Sequence, residues 1–138
     1  MALFNVFNIA GSAMNAESVR LNLTASNLAN AQTASGSDAT VYKSREPVFA
    51  TVMNNALGGG ESNGSVRVAG VIQSQAPARR EYAPNNPLAD SNGYVYMPNV
   101  NVIEEMANMI SASRAYQNNV QVLDTSKQLL LSTLSLGK

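Results

Sequence analysis

Large side chains recur every seven residues near the start of the chain. Phe7, Met14, Leu21 and Leu28 hold one position of the repeat. Phe4, Gly11, Ser18 and Ala25 hold the companion position, mostly with small side chains. A period of 3.5 kept up over about four heptads is the spacing of helices that wrap one another. Small residues in such a seam let a partner backbone come close. Asn8, Asn15 and Asn22 keep the same spacing beside it, and we expect this stripe to hydrogen-bond to adjacent helices. The end of the chain repeats the pattern more strongly. Val102, Met109, Tyr116, Leu123 and Leu130 hold one seam position, and Met106, Ser113, Val120, Lys127 and Leu134 the other. Pro98 stops the preceding segment, Asn101 is placed to cap, and Glu104 follows three residues later as in a capping box. Glu104 and Glu105 suit the positive end of a helix dipole, and Gly137 suits a terminator. A helix of more than about 30 residues extends about 45 Å, beyond the usual globular range.

Between these helices the period changes. Residues 46–53 and 65–73 read as short strands, with Val66, Val68 and Ile72 alternating in part. Residues 58–65, "GGGESNGS", read as a flexible loop, and residues 83–98 are rich in turn formers. The Asn92-Gly93 pair predicts a tight hairpin ahead of Tyr94, Val95 and Tyr96. The expected fold class is α+β: two long terminal helices pairing as a coiled coil, with a small irregular β-rich middle domain. The expected boundaries are an N-terminal helix over 1–32, a β-rich middle with its connectors over 33–98, and a C-terminal helix over 99–138.

Composition sharpens the picture. Charged residues make up 13 % of the chain, against about 25 % in typical domains, and nine acids balance nine bases. No global field draws it to nucleic acid. The stretch "LNLTASNLANAQTASGS", residues 21–37, carries no charge at all. Its amides and hydroxyls are easier to bury between protein surfaces than ions are. The chain has no cysteine and no histidine, so thiolate sites, disulfides and the commonest general base are missing. The Gly-rich loop lacks the Gly-Lys-Ser/Thr ending of a phosphate cradle. Glu104 and Glu105 diverge by about 100° on a helix and read as a charged first turn, not an acid/base pair. We expect no catalytic residue, no metal, no cofactor and no small-molecule substrate. A signal-peptide reading of the first residues fails, because no Lys or Arg precedes the apolar part and Asn5 and Asn8 interrupt it. Passage out of the cytoplasm would need a route without a cleaved signal.

Several stretches carry a resemblance. "ASNLANAQT" (25–33), followed by "VYKSREPVF" (41–49), resembles the N-terminal signature of bacterial flagellar rod and hook axial proteins. "GVIQSQAP" (70–77), "YAPNNPLADSNGYVYMPNVNV" (82–102) and "EMANMISASRAYQNNVQVL" (105–123) resemble the proximal-rod members of that family. The family motif falls on Asn27, Leu28, Ala29 and Asn30. The resemblance implies a structural subunit of the basal-body rod that passes torque from motor ring to hook. It implies export through the flagellar type III apparatus and assembly in the periplasm, without signal cleavage. The implied partners are copies of itself and other rod subunits, with the surrounding basal-body rings as further contacts. Against this stands a self-contained helical-hairpin adaptor that binds a partner through one seam. A small enzyme on an α+β scaffold is a poor third.

Overall fold

The structure, a computed structural model, describes residues 2–54 and 63–137. Helix α1 spans Ala2–Asn30 and helix α2 spans Val102–Leu136. Asn27 meets Glu105 and Arg20 meets Asn108 across the pair, so the two helices run antiparallel. The Asn101 side chain caps α2 by accepting from the Ile103 N–H at 3.2 Å, and Gly137 ends it. Among the described residues, no helix is long and apolar enough to cross a membrane.

Two hairpins fill the middle. Strands β1 (Arg45–Asn54) and β2 (Asn63–Gln73) pair antiparallel, with a bulge at Val48/Phe49. This hairpin packs on α1, and Ser12 Oγ accepts from the Val66 N–H at 3.2 Å. Helix α1 therefore lies between two neighbours, and among the described residues it is the element on which the α2 backbone packs. Of the expected flexible loop, residues 58–62 lie outside the described residues. Strands β3 (Arg79–Tyr82) and β4 (Tyr94–Met97) form the second hairpin.

The tight turn expected at Asn92-Gly93 forms ahead of Tyr94, but the named strand that pairs with β4 is β3, across the longer connection. The Gly93 N–H donates to the Asp90 carbonyl at 2.9 Å, and the Asp90 N–H to the Tyr94 carbonyl at 2.8 Å. Asp90 Oδ1 accepts from the Tyr94 and Asn92 N–H groups, and the Tyr94 bond is the chief reason its pKa is lowered. The turn thus rewinds the chain locally, and β4 pairs with β3 across the longer 83–93 connection. Gly93 still does what its type suggests. Its φ is +79°, and a Cβ there would lie 2.9 Å from the Tyr82 ring. That ring stacks edge-on against Tyr94, with centroids 5.3 Å apart.

The core is built from small side chains. Its buried apolar residues are Ala10, Ala16, Ala31, Val41, Val95 and Ala112, and the largest fully buried side chain among the described residues is an amide, Asn27. On α2 the buried positions are Glu105, Ala112 and Ser126, spaced by seven and by fourteen. Glu105 meets Asn27 across the pair, so this line lies on the face of α2 turned toward α1. Small side chains on that line bring the helix axes close.

Candidate functional site: a polar hub and uncovered helix faces

A buried polar site lies where the end of α1, the start of β1 and the first turn of α2 converge. Asn27 is 1 % exposed, Ser44 6 % and Glu105 8 %. The Asn27 amide treats Arg45 as a neighbouring strand would. Its Oδ1 accepts from the Arg45 N–H at 3.0 Å, and its Nδ2 donates to the Arg45 carbonyl at 2.9 Å. Nδ2 also donates to Glu105 Oε1 at 2.8 Å and to Ser44 Oγ at 3.2 Å. Tyr42 Oη donates to Oδ1 at 2.8 Å. Three acceptors face the nitrogen and two donors face the oxygen, so the amide has one orientation. Ser44 Oγ donates to Glu105 Oε1 at 3.3 Å. The Ser44 N–H donates to Asn99 Oδ1 at 2.9 Å, and Asn99 Nδ2 donates to the Ala76 carbonyl at 2.8 Å. Asn27 and its immediate partners tie three segments together, and Ser44 extends the network through Asn99 to Ala76. The Arg45 guanidinium lies 5.5 Å from the centre of the Tyr42 ring.

This hub holds no pairing suited to nucleophilic or acid/base work. Its single carboxylate, Glu105, is taken up by amide and hydroxyl donors. Among the described residues, no cluster of three or more metal-ligating side chains occurs. The hub's chemistry is positional: it fixes the angle at which the middle segment leaves the helix pair. Glu105 differs from its expected role as half of a charged first turn. Glu104 faces solvent, and Glu105 turns inward. Of the family motif, Asn27 is the hub, Ala29 is exposed, and Asn30 donates only to the Ser26 carbonyl at 2.8 Å.

The seam residues divide. Phe7, Met14, Leu21 and Leu28 are half-buried, as are Met109, Tyr116, Val120, Leu123 and Leu130. Val102, Met106 and Leu134 are exposed, as are Gly11, Ala25 and Lys127. The side chain of Phe4 lies outside the described residues. The buried line Glu105–Ala112–Ser126 runs one residue before Met106, Ser113 and Lys127. Hydropathy marks the larger side chains that flank the contact, while the contact itself runs through small and polar ones. Asn8, Asn15 and Asn22 all face solvent in the single chain. Ile103, Met106 and Ile110 stand exposed along α2, and Val122, Leu129 and Leu136 repeat at heptad spacing further on.

Comparison with known proteins agrees with this architecture. Residues 7–34 match the family described as flagella basal body rod protein. Residues 91–136 match the family described as flagellar basal body rod FlgEFG protein C-terminal. The flagellar basal-body rod protein FlgC of Salmonella typhimurium is 53 % identical over 138 residues, covering all of both chains. That of Escherichia coli O157:H7 is 54 % identical over the same span, again covering both chains fully. The FlgC of Buchnera aphidicola subsp. Acyrthosiphon pisum is 41 % identical over 148 aligned positions, with both chains covered. A charge-poor pair of terminal helices, a buried asparagine in the motif of residues 27–30, and full-length identity above half lead to one conclusion: this chain belongs to the FlgC family of flagellar basal-body rod proteins.

Proposed function

We propose that the chain is a non-enzymatic subunit of the proximal rod whose exposed apolar and amide faces are completed by neighbouring axial subunits. One observation carries this reading: the buried apolar side chains of the two helices are alanines, while Ile103, Met106, Ile110, Val122, Leu129, Leu131 and Leu134 are exposed. A self-sufficient domain places such side chains inside, and a large exposed apolar surface marks a site of association. Repeated around a tube, these faces would bury one another, and many parallel helix contacts would resist shear, because packed interiors deform little. That is the mechanical property a torque-bearing shaft needs. The partners in this reading are further copies and other rod subunits, with the basal-body rings outside them. The site of assembly is the periplasm, reached through the type III export apparatus without signal cleavage.

The asparagine stripe gives the test. Asn15 and Asn22 are exposed in the single chain, so changing both to Lys should leave its helix content and denaturation midpoint nearly unchanged. In the rod each Lys would lose water against a neighbouring helix. Swimming should be lost, and the double variant should be missing from isolated basal bodies. Normal motility with the double change would count strongly against burial of this stripe.

A further inference from the structure

We infer that Asn92 is a self-modifying site that folding silences: in the open chain its side-chain amide becomes a carboxylate through attack by the Gly93 nitrogen, and the native turn prevents that attack. The pattern acid-Ser-Asn-Gly occurs twice in the chain, as Glu61-Ser62-Asn63-Gly64 and as Asp90-Ser91-Asn92-Gly93. The reaction needs only these residues and water. The Gly93 nitrogen gives up its proton and forms a bond to the carbonyl carbon of the Asn92 side chain. The bond from that carbon to the amide nitrogen breaks, and ammonia leaves with the displaced proton. Water then opens the five-membered imide at either of its two carbonyls. One opening gives an ordinary aspartate, the other an isoaspartate whose main chain runs through the side-chain carbon. Glycine permits the attack because it has no Cβ to obstruct the approach. This chemistry belongs to the single chain and holds whatever the chain assembles with.

The fold removes what the attack requires. The nitrogen must reach the side-chain carbonyl carbon in a near-attack geometry, and its N–H must be free to lose a proton. In the native turn the Gly93 N–H donates to the Asp90 carbonyl at 2.9 Å, and the Gly93 carbonyl accepts from the Ala83 N–H at 2.9 Å. Gly93 is thus held at both its N–H and its carbonyl. Asp90 Oδ1 accepts from the Asn92 N–H at 2.8 Å and from the Tyr94 N–H at 2.9 Å. That carboxylate sets negative charge beside the nitrogen that would have to become an anion. The Tyr82 ring and Pro84 close on Gly93 from outside, where an added Cβ would lie 2.9 and 3.3 Å from them. Asn92 itself is exposed, so the turn protects it and burial does not. The extra main-chain atom of an isoaspartate cannot enter between residues 92 and 93 without breaking this turn. A chain modified before it folds should therefore lose the Gly93–Asp90 bond and the β3–β4 pairing with it, whereas a chain folded first stays unmodified.

The full chain is incubated in mildly alkaline buffer, once folded and once in guanidinium chloride, and conversion at each asparagine is followed by peptide mass mapping. In denaturant Asn63 and Asn92 should convert at comparable rates, because their local sequences are alike. In the folded chain Asn92 should convert at least about tenfold more slowly than in denaturant, since the turn must open first. Asp90→Ala removes the acceptor, and Tyr82→Ala removes the ring against Gly93 while leaving the hydrogen bonds of the turn. Each should restore part of the lost rate with the helices intact by circular dichroism. The isoaspartate chain, separated by ion exchange and returned to native buffer, should be cut by trypsin after Arg80 faster than the natural chain. Equal rates at Asn92 with and without denaturant overturn the inference. So does an Asn92 that keeps its amide in denaturant while Asn63 converts, or protection left unchanged by both substitutions. Equal trypsin resistance of modified and natural chains overturns it as well, because the product would then fit the turn.

Discussion

Replacing Asn27 by Leu should destabilise the chain by about 3–5 kcal/mol, although the substitution keeps the side chain's branching and lies on a helix. The cost comes from what the leucine leaves behind. The Arg45 N–H and carbonyl, Tyr42 Oη and Glu105 Oε1 would each lose a partner supplied now by one amide. A buried polar group without a partner costs about 1–3 kcal/mol. Several are exposed together, and Glu105 is charged. Asn30→Ala makes the contrast, because Asn30 bonds only to the Ser26 carbonyl one turn back in its own helix. Its loss should cost less than about 1 kcal/mol. The two asparagines stand three residues apart in the same motif, so urea denaturation of both variants separates a hub from a local bond. Equal midpoints for the two would show that the hub does not hold the fold.

The second large effect is expected at Ala112. It has no exposed surface, and it sits where α2 meets α1. Ala112→Asp puts a carboxylate into that contact, where the side chain has no exposed surface. Removing an unpaired charge from water costs several kcal/mol, and the helix pair should separate. Met106→Asp, six residues earlier, is the matched control, because Met106 is 53 % exposed. The single chain should tolerate it within about 0.5 kcal/mol. The two variants should therefore fail differently. Ala112→Asp should lose helical structure and assembly together. Met106→Asp should keep the fold and lose its place in the rod. Circular dichroism and basal-body composition, measured on both, distinguish folding contacts from assembly contacts. A Met106→Asp chain that assembles normally would take that face of α2 out of the interface.

The long helices were legible from periodicity, because seven-residue repeats kept over four or five heptads leave few alternatives. The cap at Asn101 follows from local chemistry visible in one sequence. The two strands of the larger hairpin were legible for the same reason, with branched and aromatic side chains between turn formers. The interior was not. Hydropathy picks out Met106, Val120 and Leu134, whereas the helices meet through Glu105, Ala112 and Ser126. Small and polar side chains carry no hydrophobic signal, so a contact built from them is silent in any pattern of apolar residues. Glu105 shows the difficulty best. Beside Glu104 it looks like half of a charged first turn, and only the position of Asn27 across the pair explains its burial. The one clue was the run of asparagines in "ASNLANAQT", too polar for an ordinary core and too poor in charge for an ordinary surface. The turn at Asn92-Gly93 was legible and Asp90 holds it by accepting from two backbone N–H groups, whereas the pairing of β4 with the distant β3 carries no local signal.

The central claim is that faces left uncovered in the single chain are covered in the rod. A map of the isolated basal body with side chains resolved tests it most directly. The account predicts that Asn15, Met106, Ile110, Val122 and Leu129 lie against neighbouring axial subunits, with the Asn27–Glu105 hub intact inside each copy. Those five side chains facing open solvent in the assembled rod would contradict it.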